Sequence, residues 1–483
     1  MKYIIRLFPE ITIKSKPVRQ KFIKKLYNNL NKHLELITVD FDSRYFWDKI
    51  EVDVYDDRIL DEVELTLSRV PGIAYISKVK EYDLIDFDDC FLKVKETYEK
   101  KLENKTFVVR VKRAGTHAFT SIDLERYIGG GINQHIAGTK VKLKNPEITI
   151  SLEIKDDKFY LIDKKIEGIG GYPVGVQNKA LSLISGGFDS PVASFLMAKR
   201  GIKVDYLFFN LGGIAHEIGV KQITHYIWKT FSPSYKANFV TVDFEEVIKE
   251  LLTNVNHKYR GVILKRLMFM VANKITEKYG YEAIITGEAL GQVSSQTLTN
   301  LDVITKASNT LVLRPLIASD KDDIINISKK IGTYDYSASM PEYCGVISDK
   351  PSTAAKLEDV LAEEEKLVEG IIERAFENRK TQKLVDLLDD IGELDIKTLE
   401  EVNLIGEGEI VIDLREENNI KKSPLRIDET KKLEIPFYEI NIKFRDLDKE
   451  KTYLFYCDKG VLSKMHGLYL KEHGYDNIKI YRP

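Results

Sequence analysis

The feature that most constrains the fold of this chain is a glycine-containing loop between an apolar run and a helix. Residues 181–184 are predicted to form a buried strand, residues 185–190 read SGGFDS, and residues 191–199 are predicted to be helical. Gly186 and Gly187 let an anion approach the backbone, and the first N–H groups of the helix favour a phosphate. No G-K-[ST] sequence follows, so this is not a Walker A loop. The loop predicts phosphate binding, and the alternative is a glycine turn without a ligand.

Strands alternate with long helices around this loop. The predicted strands are residues 181–184, 204–209, 238–242, 283–286 and 311–314. This alternation is typical of a doubly wound parallel sheet, which binds ligands at the carboxyl ends of its strands. Residues predicted at or near such ends are Phe208, Phe209, Lys265, Gly287 and Gln296. Each of these stretches alone could instead be a helix cap or a turn.

Smaller units flank this sheet on both sides. A strand at 1–8, a helix from Pro17, a strand at 47–55 and a helix at 58–69 predict a ferredoxin-like α+β domain. A second unit follows, with helices at 87–102 and 121–134, a strand at 106–112 and a hairpin at 147–162, before a glycine-rich linker at 168–173. An acidic helical stretch, 353–391, then leads to a small α/β domain with strands at 409–413, 452–456 and 477–481 and a helix at 463–473.

Composition narrows the class of protein. The chain has 483 residues, of which 43% are hydrophobic and 31% charged, so it has material for several cores and is not disordered. Three cysteines exclude a disulfide scaffold and a Cys₄ zinc site, and no metal site is predicted. No apolar run approaches the roughly 18 residues of a membrane span, and the first residues lack the core of a signal peptide. We therefore expect a cytoplasmic protein without membrane attachment.

Basic residues concentrate in the N-terminal third of the chain. Residues 1–33 have a net charge of +8 and residues 105–144 a net charge of +6, whereas residues 361–400 carry twelve acidic and six basic side chains. Such a distribution is typical of a surface that binds a polyanion, although these lysines could also be solvated helix faces. The candidate residues for binding a polyanion such as RNA are Lys14, Lys16, Arg19, Arg110, Lys112, Arg113, Lys142 and Lys144.

The three cysteines differ in their surroundings. Cys457 ends a predicted strand and precedes a helix, a setting that favours a nucleophilic thiolate over a structural cysteine. Ser463 stands where a C-x₅-R phosphatase loop would have arginine, which disfavours that loop. Cys344 lies between Pro341 and Gly345 in a predicted loop and is either functionally silent or a second redox thiol. Cys90, on an amphipathic helix, is predicted to be in a core.

Several of these stretches resemble known families. SGGFDS between a strand and a helix resembles the signature of PP-loop pyrophosphatases, which cleave ATP between its α- and β-phosphates and adenylate a substrate, and the Cys457 loop resembles that of rhodanese sulfurtransferases. Over nearly its whole length the chain resembles the tRNA 4-thiouridine synthase family with a C-terminal rhodanese domain. The matching stretches are LFPEITIKS, FVVRVKR, GGGINQH, LSLISGGFDS, FFNLGG, TGEALGQVSSQTLTNL, RPLI, MPEYCGVIS and the Cys457 loop.

This resemblance implies a multidomain α/β and α+β protein. The implied domains are a ferredoxin-like domain at 1–60, a THUMP RNA-binding domain at 61–165, a PP-loop adenylation domain at 173–400 and a rhodanese domain at 404–483. It also places ATP, expected with Mg²⁺, against Leu183, Ile184, Lys265, Gly287 and Gln296, with the phosphate loop formed by Ser185, Gly186, Gly187, Phe188, Asp189 and Ser190. We expect Asp189 to orient the phosphates or hold the magnesium ion.

The implied reaction is ATP-dependent conversion of a tRNA uridine, position 8 in the family, to 4-thiouridine. The resemblance assigns a persulfide to Cys457, charged by a cysteine desulfurase, and a disulfide between Cys457 and Cys344. It further implies a homodimer and a second role, sulfur transfer to an adenylated sulfur-carrier protein for thiamine synthesis. Two alternatives remain open. A PP-loop ligase or amidotransferase for a small metabolite would not use the basic segments, and a non-catalytic RNA-binding protein would leave SGGFDS and Cys457 unexplained.

Overall fold

We describe the protein from a computed structural model, which divides into two compact units, Met1–Val176 and Gln177–Pro483. The described residues are 1–211, 213–338, 340, 350–389, 399–415, 420–421, 423–458 and 461–483. Cys344 therefore lies outside the described residues, and its predicted role remains a prediction.

The N-terminal unit contains one sheet of eight strands covered by helices. Its strands are β1 (Lys2–Leu7), β2 (Phe41–Tyr45), β3 (Lys49–Val54), β4 (Ile73–Asp83), β5 (Thr106–Ala114), β6 (Lys140–Val141), β7 (Ile148–Lys155) and β8 (Lys158–Glu167). Its helices are α1 (Pro9–Thr12), α2 (Lys16–Leu34), α3 (Leu60–Ser68), α4 (Phe87–Leu102) and α5 (Ser121–His135). The order β2-β3-β1-β4-β8-β7-β5-β6 is antiparallel except where β5 meets β6 and β7.

The structure adds β2, β4 and the two-residue β6 to the predicted pattern of this unit. β4 pairs with β1 on one side and β8 on the other, so one sheet continues through both predicted N-terminal domains. The predicted hairpin is confirmed, since β7 and β8 pair antiparallel across a short turn. The glycine-rich stretch after β8 packs on the unit instead of forming a free linker. Gly168 has no room for a Cβ, which would lie 2.3 Å from the Ile73 carbonyl oxygen.

The second unit begins with the predicted doubly wound sheet, which is confirmed. The six described strands of this sheet are β9 (Lys179–Leu183), β10 (Lys203–Asn210), β11 (Asn238–Asp243), β12 (Ala283–Ile285), β13 (Leu311–Leu313) and β14 (Lys380–Lys383). The described helices around it are α6 (Asp189–Lys199), α7 (Gly213–Phe231), α8 (Glu245–Asn254), α9 (Arg260–Tyr279), α10 (Leu298–Thr305), α11 (Lys321–Ile331), α12 (Tyr334–Ala338), α13 (Leu357–Glu364) and α14 (Ile371–Glu377).

The strand order β13-β12-β9-β10-β11-β14 places β9, and the loop that follows it, in the middle of this sheet. All neighbours are parallel except β14, which pairs antiparallel with β11. The acidic stretch before the C-terminal domain was predicted to be helical throughout, and this is wrong because it contains β14. It is also no free linker, since Val360, Ile371 and Ala375 are buried in the core of the sheet.

The last part of the second unit, which we call the C-terminal domain (residues 399–483), has a parallel sheet in the order β15-β19-β18-β16-β17. Its described strands are β15 (Glu401–Val402), β16 (Ile410–Asp413), β17 (Lys432–Glu434), β18 (Tyr453–Tyr456) and β19 (Ile478–Tyr481), and its helices are α15 (Phe437–Lys443) and α16 (Val461–Glu472). The three predicted strands of this domain are confirmed as β16, β18 and β19, and its predicted helix as α16.

Candidate active site

The phosphate loop joins β9 to α6 at the carboxyl end of the sheet. Gly186 has a φ of +84°, which side chains other than glycine rarely adopt, and a Cβ on Gly187 would meet nothing within 4 Å. The Ser190 hydroxyl accepts a hydrogen bond from the Ser185 N–H at 3.0 Å and braces the loop. The loop therefore combines an open backbone surface at Gly187 with the N-terminus of α6, which suits an anion.

Neighbouring segments hold this loop in place. A Cβ on Gly287, just beyond β12, would lie 2.7 Å from the Ser190 nitrogen, so only glycine allows this approach. His216 of α7 is buried, and its Nε2 donates to the Ser185 carbonyl oxygen at 3.1 Å. Burial lowers the pKa of His216 to about 4. The sequence prediction included Gly287 but not His216, whose packing depends on tertiary contacts.

Asp189, the first residue of α6, forms an ion pair with Lys321, the first residue of α11, at 2.9 Å. With its amide oriented to satisfy both neighbours, Gln292 donates to Asp189 Oδ2 at 3.2 Å and accepts from Lys321 Nζ at 3.0 Å. Lys321 was not predicted as a site residue. Its position at the start of the helix after β13 was the available signal, because that helix begins on the carboxyl side of the sheet.

Lys265 of α9 lies in a second charged group. The buried Glu288 carboxylate accepts from Lys265 Nζ at 3.1 Å and from Arg314 Nε at 2.8 Å. Burial acts to raise the pKa of Glu288, but the charges of Lys265 and Arg314 outweigh this effect and hold that pKa below its usual value. Glu288 and Arg314 therefore fix the position of Lys265, a role that the sequence alone did not reveal.

The remaining predicted nucleotide contacts differ in how much surface they offer. The side chains of Phe208 and Phe209 are buried against Phe239 and Phe244, respectively, so they belong to the core and offer a ligand no side-chain surface. Leu183 is half-buried, and Ile184 is buried with its N–H donating to Leu207. Gln296 is buried, and within the described residues its Oε1 has no hydrogen-bond partner. That acceptor fits a hydroxyl or amino donor of a nucleotide.

Cys457 follows β18 directly, as predicted, and its side chain is buried with 3% exposure. The Ser463 N–H of α16 donates to the Cys457 sulfur at 3.4 Å, and the Ser463 hydroxyl lies 3.5 Å from it. A helix N–H directed at the sulfur supplies a hydrogen-bond donor to a sulfur atom that carries or develops negative charge. The setting is therefore that of a sulfur nucleophile at a helix N-terminus.

Arg415 holds the beginning of the Cys457 loop and was not predicted. Its guanidinium is buried, donates to both Asp413 carboxylate oxygens, and reaches Asp458 Oδ1 at 2.8 Å. The Asp413 carboxylate, and to a lesser extent Asp458, raises the pKa of Arg415 above its ordinary value. Cys90 is fully buried, as predicted, and burial raises the pKa of its thiol to about 12, which removes it as a nucleophile.

The candidate RNA-binding residues all lie in the N-terminal unit. Lys112 and Arg113 on β5 line a groove on the sheet together with Arg6, Lys155 and Tyr160. Lys14, Lys16, Lys142 and Lys144 are exposed, and Arg110 is exposed while donating to the Leu143 carbonyl. Arg19 differs from the expectation, because it is only 8% exposed, stacks on the Trp47 ring at 3.9 Å and donates to two backbone carbonyls. It orders the chain and presents no free charge to a phosphate.

Two features are absent from the described part of the chain. No three His, Cys, Asp or Glu side chains come together there as a protein metal site would require. None of the helices described combines the length and apolar content of a membrane span.

Comparison with known families gives four matches along the chain. Residues 2–77 match the ThiI ferredoxin-like domain, 85–162 the THUMP domain, 175–368 the family described as thiamine biosynthesis protein (ThiI), and 399–482 the rhodanese-like domain. A tRNA sulfurtransferase of Shewanella pealeana is 48% identical over 487 residues, and one of Escherichia coli O1:K1 is 47% identical over 483 residues, with 100% of both chains covered in each case.

Solved structures give two further matches. A 4-thiouridine synthetase–RNA complex with bound ATP superimposes with a TM-score of 0.70 at 28% identity, covering 79% of this chain and 99% of that one. PH1313 from Pyrococcus horikoshii superimposes with a TM-score of 0.52 at 21% identity, covering 69% of this chain and 100% of that one, which is a likeness of fold.

Proposed function

The chain belongs to the ThiI family of tRNA sulfurtransferases, and from this premise we propose that it carries out ATP-dependent sulfur transfer to a tRNA uridine, giving 4-thiouridine. The observation that carries the proposal is the presence of a phosphate loop and a strand-end thiol, Cys457, in one compact unit. The uridine is position 8 in this proposal. The basic groove and the exposed lysines of the N-terminal unit supply the protein's contacts with tRNA.

The first step is activation of the uridine by ATP. The C4 oxygen of the uridine attacks the α-phosphate of ATP, and pyrophosphate leaves. The C4 oxygen, a poor leaving group by itself, can then leave as part of AMP. The N–H groups around Gly187 and at the start of α6 bind phosphate oxygens. Gln296 Oε1 accepts a hydrogen bond from a hydroxyl or amino group of the nucleotide. Lys265, positioned by Glu288, neutralises charge that develops on the phosphates. Asp189 offers carboxylate oxygens of the kind that Mg²⁺ prefers, with Lys321 and Gln292 fixing their orientation.

The second step is sulfur delivery by Cys457. A cysteine desulfurase charges Cys457 as a persulfide, and the helix N–H of Ser463 stabilises its anionic form. Sulfur bonds to C4 and AMP leaves, either after attack by the persulfide itself or after release of sulfide. By both routes the Cys344 thiolate attacks the Cys457 sulfur and breaks its bond to the transferred sulfur. The transferred sulfur thereby gains the two electrons that the two cysteine sulfurs lose. A Cys344–Cys457 disulfide results, and a reductant must restore both thiols before the next cycle.

The family model described as thiamine biosynthesis protein supports a second role. The same adenylation and persulfide chemistry would convert the C-terminal carboxylate of a sulfur-carrier protein to a thiocarboxylate. We propose further that the protein acts in the cytoplasm and as a homodimer, with domain boundaries near residues 60, 165 and 400. Comparing full-length and truncated chains by light scattering tests the last two points.

The direct test of the activity is mass analysis of nucleosides from tRNA. Unmodified tRNA is incubated with the protein, ATP, cysteine and a cysteine desulfurase. The proposal predicts 4-thiouridine only when all components are present, with one pyrophosphate released per uridine modified. ATP cleavage on a small metabolite without tRNA would favour the alternative ligase. Tight tRNA binding without ATP cleavage would favour the non-catalytic alternative.

A further inference from the structure

Helix α7 contacts the phosphate loop with one face and the C-terminal domain with the other. His216 and Val220 are one helical turn apart, and they contact the Ser185 carbonyl and Gly186 respectively. Ile218 lies about half a turn from both, on the opposite face. It is 0% exposed, because it packs into the apolar cluster of the C-terminal domain, and α7 also contacts α16 of that domain.

Tyr336 of α12 and the nearby Met340 form a second set of contacts with the C-terminal domain and the phosphate loop. The Tyr336 ring lies 5.3 Å from the ring of Tyr226 on α7 and 5.5 Å from the ring of Phe437 at the start of α15. Four residues after Tyr336, the Met340 side chain packs on Gly186 of the phosphate loop. Tyr336 thus touches the C-terminal domain, and Met340 touches the phosphate loop.

The apolar cluster that contains Ile218 also contains residues of β18, the strand directly before Cys457. Phe455 of β18, two residues before Cys457, is fully buried in that cluster together with Phe437 and Leu468. A helix with its side chains is only about 10 Å in diameter. Docking on α7 therefore holds the sulfur-bearing domain one helix away from the loop that we assign to ATP.

We propose that the Ile218 face of α7, with Tyr336, is the docking surface of the C-terminal domain during sulfur delivery, and that Ile218 is a positioning residue for Cys457. This inference rests on the proposed function. The docked arrangement raises the local concentration of the charged cysteine beside the activated uridine. Loading of Cys457 needs only the C-terminal domain, and adenylation of tRNA needs only the part of the chain that carries the phosphate loop. Docking is needed when sulfur passes from Cys457 to the adenylated uridine.

The test uses the full chain with three readouts in a single turnover. These are the Cys457 persulfide formed by a desulfurase, the burst of pyrophosphate with tRNA and ATP, and the rate of 4-thiouridine formation. For Ile218→Asp we expect the first two to stay within about twofold of the parent chain. We expect the thiolation rate to fall at least about tenfold, because a carboxylate is strongly disfavoured in a buried apolar contact. Ile218→Val, which keeps the apolar contact, should restore the parent rate.

Leu252→Asp is the matched control, since Leu252 is 47% exposed on α8 and should tolerate the charge. A parent-like or faster thiolation rate in Ile218→Asp, with loading and burst intact, would overturn the proposal. If Ile218→Asp loses either partial reaction, Ile218→Ala and Tyr336→Leu decide the matter without an added charge. Slowed thiolation in both supports docking, and the parent rate in both contradicts it. Failure of the proposed function itself is distinct, because the parent chain would then form no 4-thiouridine.

Discussion

At the scale of single residues, two ion pairs hold the charged side chains around the phosphate loop. Asp189 pairs with Lys321, and Lys265 pairs with Glu288 at the carboxyl end of the same sheet. Asp189→Ala and Lys265→Ala should each lower the thiolation rate at least about 100-fold, because we propose that both groups act on the phosphates of ATP. Neither change should affect persulfide formation on Cys457, which needs no ATP.

Asp302→Asn is the control for these variants. Asp302 pairs with Lys306 on the exposed surface of α10, so its loss should leave thiolation unchanged. Both rates are read from nucleoside analysis and persulfide labelling on the same samples. Thiolation at the parent rate by Asp189→Ala would remove the basis for assigning ATP to this loop.

The buried His216 makes stability depend on pH. Burial lowers its pKa from 6.5 to about 4, so between these values the unfolded chain binds a proton that the folded chain does not. The folded state therefore loses up to about 3 kcal/mol of stability as the pH falls from 7 to 4. In His216→Gln this part of the loss should disappear. Urea unfolding of both chains at several pH values measures the difference, and parallel pH curves would contradict the assignment.

At the scale of elements, the phosphate loop depends on the close approach of the segment after β12. A Cβ on Gly287 would lie 2.7 Å from the Ser190 backbone nitrogen, which cannot move away as a flexible side chain could. Gly287→Ala should displace the loop and raise the KM for ATP at least about tenfold. Gly129→Ala in α5, where a Cβ meets nothing within 4 Å, should leave the KM unchanged. Equal KM values for the two variants would show that the approach does not matter.

Elements with strong local patterns could be predicted from the sequence. The five parallel strands from β9 to β13 and the strand before Cys457 are apolar runs bounded by glycine or polar residues, and all are confirmed. The predicted position of residues 185–190 between a strand and a helix is confirmed as well. The matched ferredoxin-like, THUMP, ThiI and rhodanese models likewise confirm the predicted fold class.

What could not be predicted depends on partners distant in the chain. β4 carries many charged residues, and its strand character comes from pairing with β1 and β8 on both sides. β14 reads KTQK and becomes a strand only by pairing with β11. Lys321 and Arg415 look like ordinary surface cations until the fold brings them to Asp189 and Asp458. Arg19 counted as a free charge in the sequence, but its stacking on Trp47 removes it from the surface.

At the scale of the whole molecule, tRNA binding should depend on salt through the exposed lysines. Lys142 and Lys144 are exposed. Replacing both with alanine should make the slope of the log binding constant against log salt concentration less steep, by roughly 1 to 2. Arg19→Ala should leave this slope unchanged and lower the unfolding free energy by about 2 kcal/mol, since it breaks buried hydrogen bonds. Filter binding across salt concentrations distinguishes the two. A reduced slope in Arg19→Ala would contradict its structural role.

In the proposed reaction, sulfur on Cys457 reaches a tRNA uridine only after ATP has activated that uridine. The most direct measurement loads Cys457 with isotopically labelled sulfur, removes the donor and reductant, and adds tRNA with or without ATP. We expect about one labelled 4-thiouridine per chain with ATP, none without ATP, and a Cys344–Cys457 disulfide found by peptide mapping. Cys90→Ala should behave like the parent chain, and Cys457→Ala should neither load nor thiolate. Cys344→Ala should load, but with the donor and reductant supplied again it should fail to sustain the repeated turnover that the parent chain shows. Labelled tRNA formed without ATP, or formed by Cys457→Ala, would contradict the account.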